Sequence, residues 1–160
     1  MNRLTLLTLG TLLAMPLSFS AAHDQDANPL HGTWELNATK SKFDPGPAPK
    51  SQTRTYKGAG DEEELDSSGT DAKGKPTSTH YKARYDGKDY PMTGLPTADT
   101  ISLRRIDEST TESTQKKGGK KTMTTTRKVS SDGKVLTATS KGTNAEGQAT
   151  NNVMVFDRRE

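Results

Sequence analysis

The chain has 160 residues, of which 28% are hydrophobic, 5% aromatic and none cysteine. An apolar share far below the usual half excludes a large leucine-rich core, leaving either partial disorder or a fold around a polar interior. Lysine and arginine number 23 against 20 acids, and both signs are interspersed, so the net charge of +3 describes a solubilising surface and excludes the clustered basic face of a nucleic-acid binder.

Residues 1–22, MNRLTLLTLGTLLAMPLSFSAA, have the order of a secretory signal peptide: Arg3, an apolar run over 4–17, then small residues from Ser18 to Ala22. The run is interrupted by Thr5, Thr8, Gly10 and Thr11 and is shorter than the about 20 apolar residues of a membrane span. The expectation is a periplasmic or secreted protein cleaved near Ala22, with a flexible leader over 23–31 and one domain over 32–160. No later segment is apolar enough to cross a bilayer. Cleavage there puts His23 at or near the new N-terminus, where an amine and an imidazole can chelate Cu²⁺ or Ni²⁺. A polar leader is the plainer reading of His23, and no cofactor or other metal is expected.

From Gly32 onward, short alternating segments rich in threonine are separated by turn residues, and no window has helical apolar spacing. The pattern predicts strands over 32–37, 52–57, 62–67, 77–85, 88–93, 99–106, 111–116, 121–129, 135–141 and 149–158. Between them, Gly58-Ala59-Gly60, Asp86-Gly87, Gly118-Gly119 and Asp132-Gly133 suit tight hairpins. The stretch FDPGPAPKS, residues 43–51, is excluded from regular structure by its prolines. It reads as a stiff surface connection or as a lid over one mouth of a barrel. The acidic run Asp61-Glu62-Glu63-Glu64 lacks the spaced ligands of a calcium loop and reads as a solvated hairpin. KKGGKK at 116–121 is a basic hairpin tip, His80 alternates with Lys82 and Arg84 on a solvent face, and Asn37-Ala38-Thr39 is a glycosylation sequon.

A meander of eight to ten neighbouring strands leaves two open edges unless it closes, so the predicted class is all-β, an antiparallel up-and-down barrel. Alternation gives a candidate interior of Tyr81, Tyr85, Tyr90, Met92, Ile101, Leu103, Met123, Leu136 and Phe156. Arg127 shares a face with Met123 and Val129, and reads either as an outward strand arginine or as an interior charge.

Gly32-Thr33-Trp34, glycine and tryptophan opening the first strand, resembles the signature of the lipocalin and fatty-acid-binding (calycin) barrels. The closing hairpins, TRKVSSDGKVLTATSKGTNAEGQATNNVMVFDRRE, are similar to those of ten-stranded lipid-binding barrels. GTWELNATKSKFDPGPAPKSQTRTY, YDGKDYPMTG and TSKGTNAEGQATNNVMVF resemble segments of a group of small exported bacterial proteins, which implies a compartment and a fold rather than an activity. The calycin resemblance implies that Trp34 plugs the closed end with Gly32 at its entry, and that Arg158 or Arg159 packs over the ring. Such barrels hold a ligand carboxylate with Arg-x-Tyr on the last strand. Here those positions read Met154-Val155-Phe156, which puts a carboxylate ligand in doubt, with Arg127 as the substitute on an earlier strand.

No nucleophile elbow, phosphate loop or zinc spacing occurs, so a catalytic role is not expected. The favoured function is a monomeric, exported binding module for a small apolar or amphipathic ligand. The alternative is a periplasmic interaction protein, an inhibitor or envelope-stress factor, that uses the barrel as a scaffold.

Overall fold

The computed structural model describes residues 28–160. In chain order the strands are β1 (Gly32–Leu36), β2 (Ser51–Lys57), β3 (Glu62–Thr70), β4 (Pro76–Arg84) and β5 (Tyr90–Thr93), followed by β6 (Thr100–Arg105), β7 (Thr110–Lys117), β8 (Lys120–Val129), β9 (Val135–Thr143) and β10 (Ala149–Arg158). Each pairs antiparallel with its sequence neighbours, and β1 meets β10 to close a ten-stranded barrel. Closure removes both sheet edges at once. The signal-peptide reading and His23 lie outside the described residues.

Two strands run past the ends that the residue pattern indicates. β3 continues through Ser68, Gly69 and Thr70, and β9 through Gly142 and Thr143. Ser68, Gly69 and Gly142 are weak strand formers, but both glycines are paired on both sides, Gly69 with Gln52 and Thr77, Gly142 with Met123 and Thr150. Neighbouring backbone overrides local propensity there.

The closed end is packed by the chain's own side chains. Trp34, Leu136 and Phe156 are 0% exposed, and Leu30, Leu103 and Val129 join them in one cluster. Each such side chain contributes roughly 1.5–3 kcal/mol when fully buried. Residues 28–31 belong to this end and not to a loose leader. Leu30 is buried, its carbonyl accepts from Trp34 Nε1 at 2.8 Å, and Asn28 Oδ1 accepts from the Leu30 amide at 3.1 Å.

Between β1 and β2 the chain leaves the ring through a 3₁₀ turn, Ala38–Lys40, and runs beside β10. Asn37 N donates to Val155 O, Lys42 and Val153 exchange backbone bonds at 2.7 and 2.8 Å, and Asn151 N reaches Asp44 O at 2.7 Å. Residues 37–44 therefore extend the β1 side of the seam along β10, and no residue of the proline-rich stretch lines the interior cavity. The sequon asparagine is engaged in the same seam, donating from Nδ2 to Asp157 at 2.7 Å and accepting from Thr39 and the Lys40 amide.

At the other end, residues 94–99 connect β5 to β6. Gly94 has φ +93°, and a Cβ there would lie 1.8 Å from the Ser78 carbonyl oxygen, so only glycine lets the chain pass this close to β4. Beyond it Ala98 is buried, and the Asp99 amide is tied to Lys116 O at 2.9 Å.

Candidate functional site

Alternation along each strand decides what faces the barrel axis. In β3, Glu63, Leu65 and Ser67 are buried while Asp66 is exposed. In β4 the buried residues are Tyr81 and Ala83, and in β8 they are Thr125, Arg127 and Val129. The inward face thus carries a carboxylate and a guanidinium, and the two meet. Arg127 Nη1 donates to Glu63 Oε1 at 2.7 Å and to Tyr81 Oη at 3.0 Å. Tyr81 Oη donates to the same carboxylate oxygen at 2.6 Å, and Tyr85 Oη donates to Oε2. The Tyr56 ring lies 5.3 Å from the Arg127 guanidinium carbon.

Glu63 is 0% exposed and Arg127 3%. The solvated-hairpin reading of the acidic run is therefore corrected at this one position. Asp61, Glu62 and Glu64 face outward and pair with Arg84, Lys82 and Lys57, whereas Glu63 turns inside. The signal was available: Glu63 precedes Leu65 by two, and residues two apart in a strand share a face. Likewise Arg127 is an interior charge and not an outward one.

The network's electrostatics follow from burial. Burial opposes the charge of Arg127, but Glu63 and the hydroxyls of Tyr81, Tyr56 and Tyr85 outweigh it, and the guanidinium is held well above its ordinary value. Burial pushes the Tyr81 and Tyr85 hydroxyls up, so both remain donors.

This network forms one wall of a cavity of about 200 Å³ in the half of the barrel away from Trp34. Tyr81, Met92, Ile101, Met123 and Arg127 line it. The other candidate interior residues lie elsewhere. Leu103, Leu136 and Phe156 are buried in the packed core with Trp34. Tyr85 is the half-buried partner of Glu63, and Tyr90 places its hydroxyl 2.9 Å from exposed Asp86. Sequence reasoning missed Tyr56, Arg54, Leu95 and Met154, together with a polar belt of Ser67, Ser113, Thr125 and Ser140. Thr125 and Ser140 share a hydrogen bond at 2.8 Å. Small hydroxyl residues suit either face of a strand, so only the closed ring reveals them as lining.

At the opposite end, Arg158 lies over Trp34, 4.1 Å from guanidinium carbon to ring centre. It donates to the carbonyls of Gly133 (2.5 Å), His31 (2.7 Å) and Pro29 (2.5 Å). Gly32 makes this possible: its φ is +127°, and a Cβ would sit 2.4 Å from Arg158 Nη1. These three residues form a structural plug and are not part of the cavity lining, although Arg54, which is, pairs with Trp34 across β1 and β2.

On the outer face, Glu64, Asp66 and His80 bring their ligand atoms within 4.8 Å of one another. The Lys57 ammonium bridges the two carboxylates at 3.1 and 3.3 Å, so a protein cation already balances this set. His80 Nδ1 contacts Asp66 at 2.8 Å, exposed and on the wall's outer side.

No protein-family model and no curated protein matches the chain. Solved structures do resemble it. Rv2717c from M. tuberculosis superposes with a TM-score of 0.52 at 14% identity, over 82% of this chain and 94% of that one. The zebrafish ileal bile acid-binding protein complexed with cholic acid gives 0.46 at 11% identity, over 82% and 99%. EF1p2_mFAP2b bound to DFHBI gives 0.46 at 12% identity, over 83% and 96%. The likeness to Rv2717c concerns the fold alone, a closed antiparallel barrel.

Proposed function

We propose that the protein is an exported, non-catalytic binding module that holds a small amphipathic molecule inside its barrel. The observation that carries this reading is the cavity. The half around Trp34 is filled by side chains, yet a partly open cavity of about 200 Å³ remains, with Leu95 and Thr97 in its lining. Interiors close-pack wherever nothing else needs the space. The lining supports an amphipathic occupant, because Leu65, Met92, Ile101 and Met154 alternate with serines, threonines and arginines. Drug-sized ligands occupy about 300–1,000 Å³, so the occupant is smaller than these. Export is supported by the signal-like order of residues 1–22.

Native mass spectrometry of protein purified from its source tests the binding role, together with titration of a neutral solvatochromic dye such as Nile red. A retained adduct, or dye fluorescence displaced by cavity-sized molecules, is expected. Bare chain mass with no dye response would leave the barrel as a scaffold.

A further inference from the structure

Met92, Met123 and Met154 are the three methionines of residues 28–160, and all three line the cavity. They stand on β5, β8 and β10, so only closure of the ring gathers them. Leucine fills a similar volume at little cost. What methionine adds is a polarisable sulfur that oxidants attack.

The three sulfurs are not alike. Among the described residues, only the Met154 sulfur accepts a side-chain hydrogen bond, from Arg54 Nη2 at 3.7 Å. The Arg54 guanidinium carbon also lies 4.5 Å from the centre of the Phe156 ring. Met154 and Phe156 are two apart on β10 and share a face, so one guanidinium spans both. Its donors are poorly matched. Nη2 has one other contact, Gln52 Oε1 at 3.3 Å, and Nε is buried with no hydrogen-bond partner among the described residues. A thioether is a weak acceptor, and a buried N–H left unmet is costly. Oxidation reverses this mismatch, because a sulfoxide is polar and its oxygen would sit on the very sulfur that Arg54 faces.

We propose that Met154 is a peroxide-modification site, oxidised to the sulfoxide, whose oxygen Arg54 takes as its missing acceptor. The sulfur lone pair attacks one oxygen of hydrogen peroxide and the O–O bond breaks. The proton on the transferred oxygen passes to the departing hydroxide, so the products are sulfoxide and water. Sulfur gives up two electrons and the peroxide takes them. The partly open cavity of about 200 Å³ admits molecules of this size, since a water takes about 30 Å³ in the liquid. A peroxide that accepts from Arg54 reaches the sulfur from one side. The sulfoxide sulfur is chiral, so one epimer dominates. The site belongs to the wall and not to an occupant, so it does not rest on the binding reading above.

The test is timed exposure of the full folded protein to hydrogen peroxide, with each methionine followed by peptide mapping and mass spectrometry. The two methionine sulfoxide reductases, each specific for one epimer, resolve the product in the digest. At Met154 one epimer is expected to exceed the other about fivefold or more in the folded protein, and the two to be about equal in urea. Arg54→Gln is expected to bring the folded ratio at Met154 to about even while oxidation of Met92 and Met123 keeps its rate. A loosened fold would instead speed all three. Oxidation is also expected to shift the Arg54 Nε–Hε resonance. In a Met92→Leu, Met123→Leu background, the urea midpoint is expected to hold or rise on oxidation, and to fall when Arg54→Gln is added. Met154 left intact while the other two oxidise, an even epimer ratio in the folded protein, or a ratio indifferent to Arg54→Gln would each overturn the proposal. So would an unmoved Arg54 resonance, or a fall in midpoint as large with Arg54 as without it.

Discussion

Glu63→Ala is the most direct probe of the interior, because the two readings of this residue differ by several kcal/mol. On a solvated hairpin, truncating a glutamate changes stability by about 0.5 kcal/mol or less. In the structure it removes the sole carboxylate contacting a guanidinium that is 3% exposed, and it strips the acceptor from Tyr81 and Tyr85. Leaving one partner of a buried ion pair uncompensated costs about 3–5 kcal/mol. That is a large part of the about 5–15 kcal/mol that holds a domain of this size together. The double replacement Glu63→Leu with Arg127→Met exchanges the pair for apolar volume, and such exchanges are often neutral or stabilising. Urea unfolding followed by the fluorescence of Trp34, the only tryptophan, reads Glu63→Ala and the cycle of wild type, Glu63→Leu, Arg127→Met and the double variant. The expected coupling is about 2 kcal/mol or more in favour of the pair. A loss below about 1 kcal/mol for Glu63→Ala, or additive single effects, would refute the buried network.

Three further outcomes follow from other parts of the molecule. Gly32→Ala brings a Cβ within 2.4 Å of Arg158 Nη1 at φ +127°, so it is expected to cost about 2 kcal/mol and to red-shift Trp34 emission; an unchanged spectrum would contradict the plug geometry. Burial lowers the His31 pKa, with the nearby Glu63 raising it and Arg105 lowering it, and the net shift is below 6.5. The unfolded chain therefore binds the proton first, and stability is expected to fall as pH drops below about 6.5, a slope that His31→Asn should flatten in urea midpoints between pH 7.5 and 5. Leu95→Ala thins the lining of the cavity and is expected to leave global stability within about 1 kcal/mol while speeding dissociation of bound Nile red several-fold by stopped flow. Unchanged release would assign gating elsewhere.

The strands were legible because each carries its own turn: Asp86-Gly87 and Asp132-Gly133 mark hairpins that the structure contains, and a ten-strand meander has little choice but to close. The interior was legible only where apolar residues alternated, as at Ile101 and Leu103. Polar inward positions were opaque for two reasons. Glu63 sits within a run of acids whose other members are solvated, so the run's average charge masked its phase. Ser67, Ser113, Thr125 and Ser140 carry no preference of their own, and their role depends on which way the whole ring turns. The proline-rich stretch reads first as a surface connection and only alternatively as a lid, and its residues are absent from the cavity lining. Gly94, whose φ of +93° sets the path of residues 94–99, looks like any other loop glycine in a sequence.

The seam between β1 and β10 has a kinetic meaning. Every other ladder joins strands adjacent in sequence, whereas this one joins the two ends, with Trp34 opposite Arg158 and Leu36 opposite Phe156. Bringing ends together across a loop on the order of 120 residues costs about 4 kcal/mol in chain entropy. The hairpins can form as soon as they are synthesised, but β10 follows the other nine strands in the chain, so β1 keeps an unpaired edge until β10 has emerged. The segment from Asn37 to Asp44 lengthens that seam, bonding β10 at Val155, Val153 and Asn151. Ring closure, with the segment from Asn37 to Asp44 pairing alongside it, is thus expected to be the slow step of folding, and a circular permutant that joins β10 to β1 is expected to fold faster.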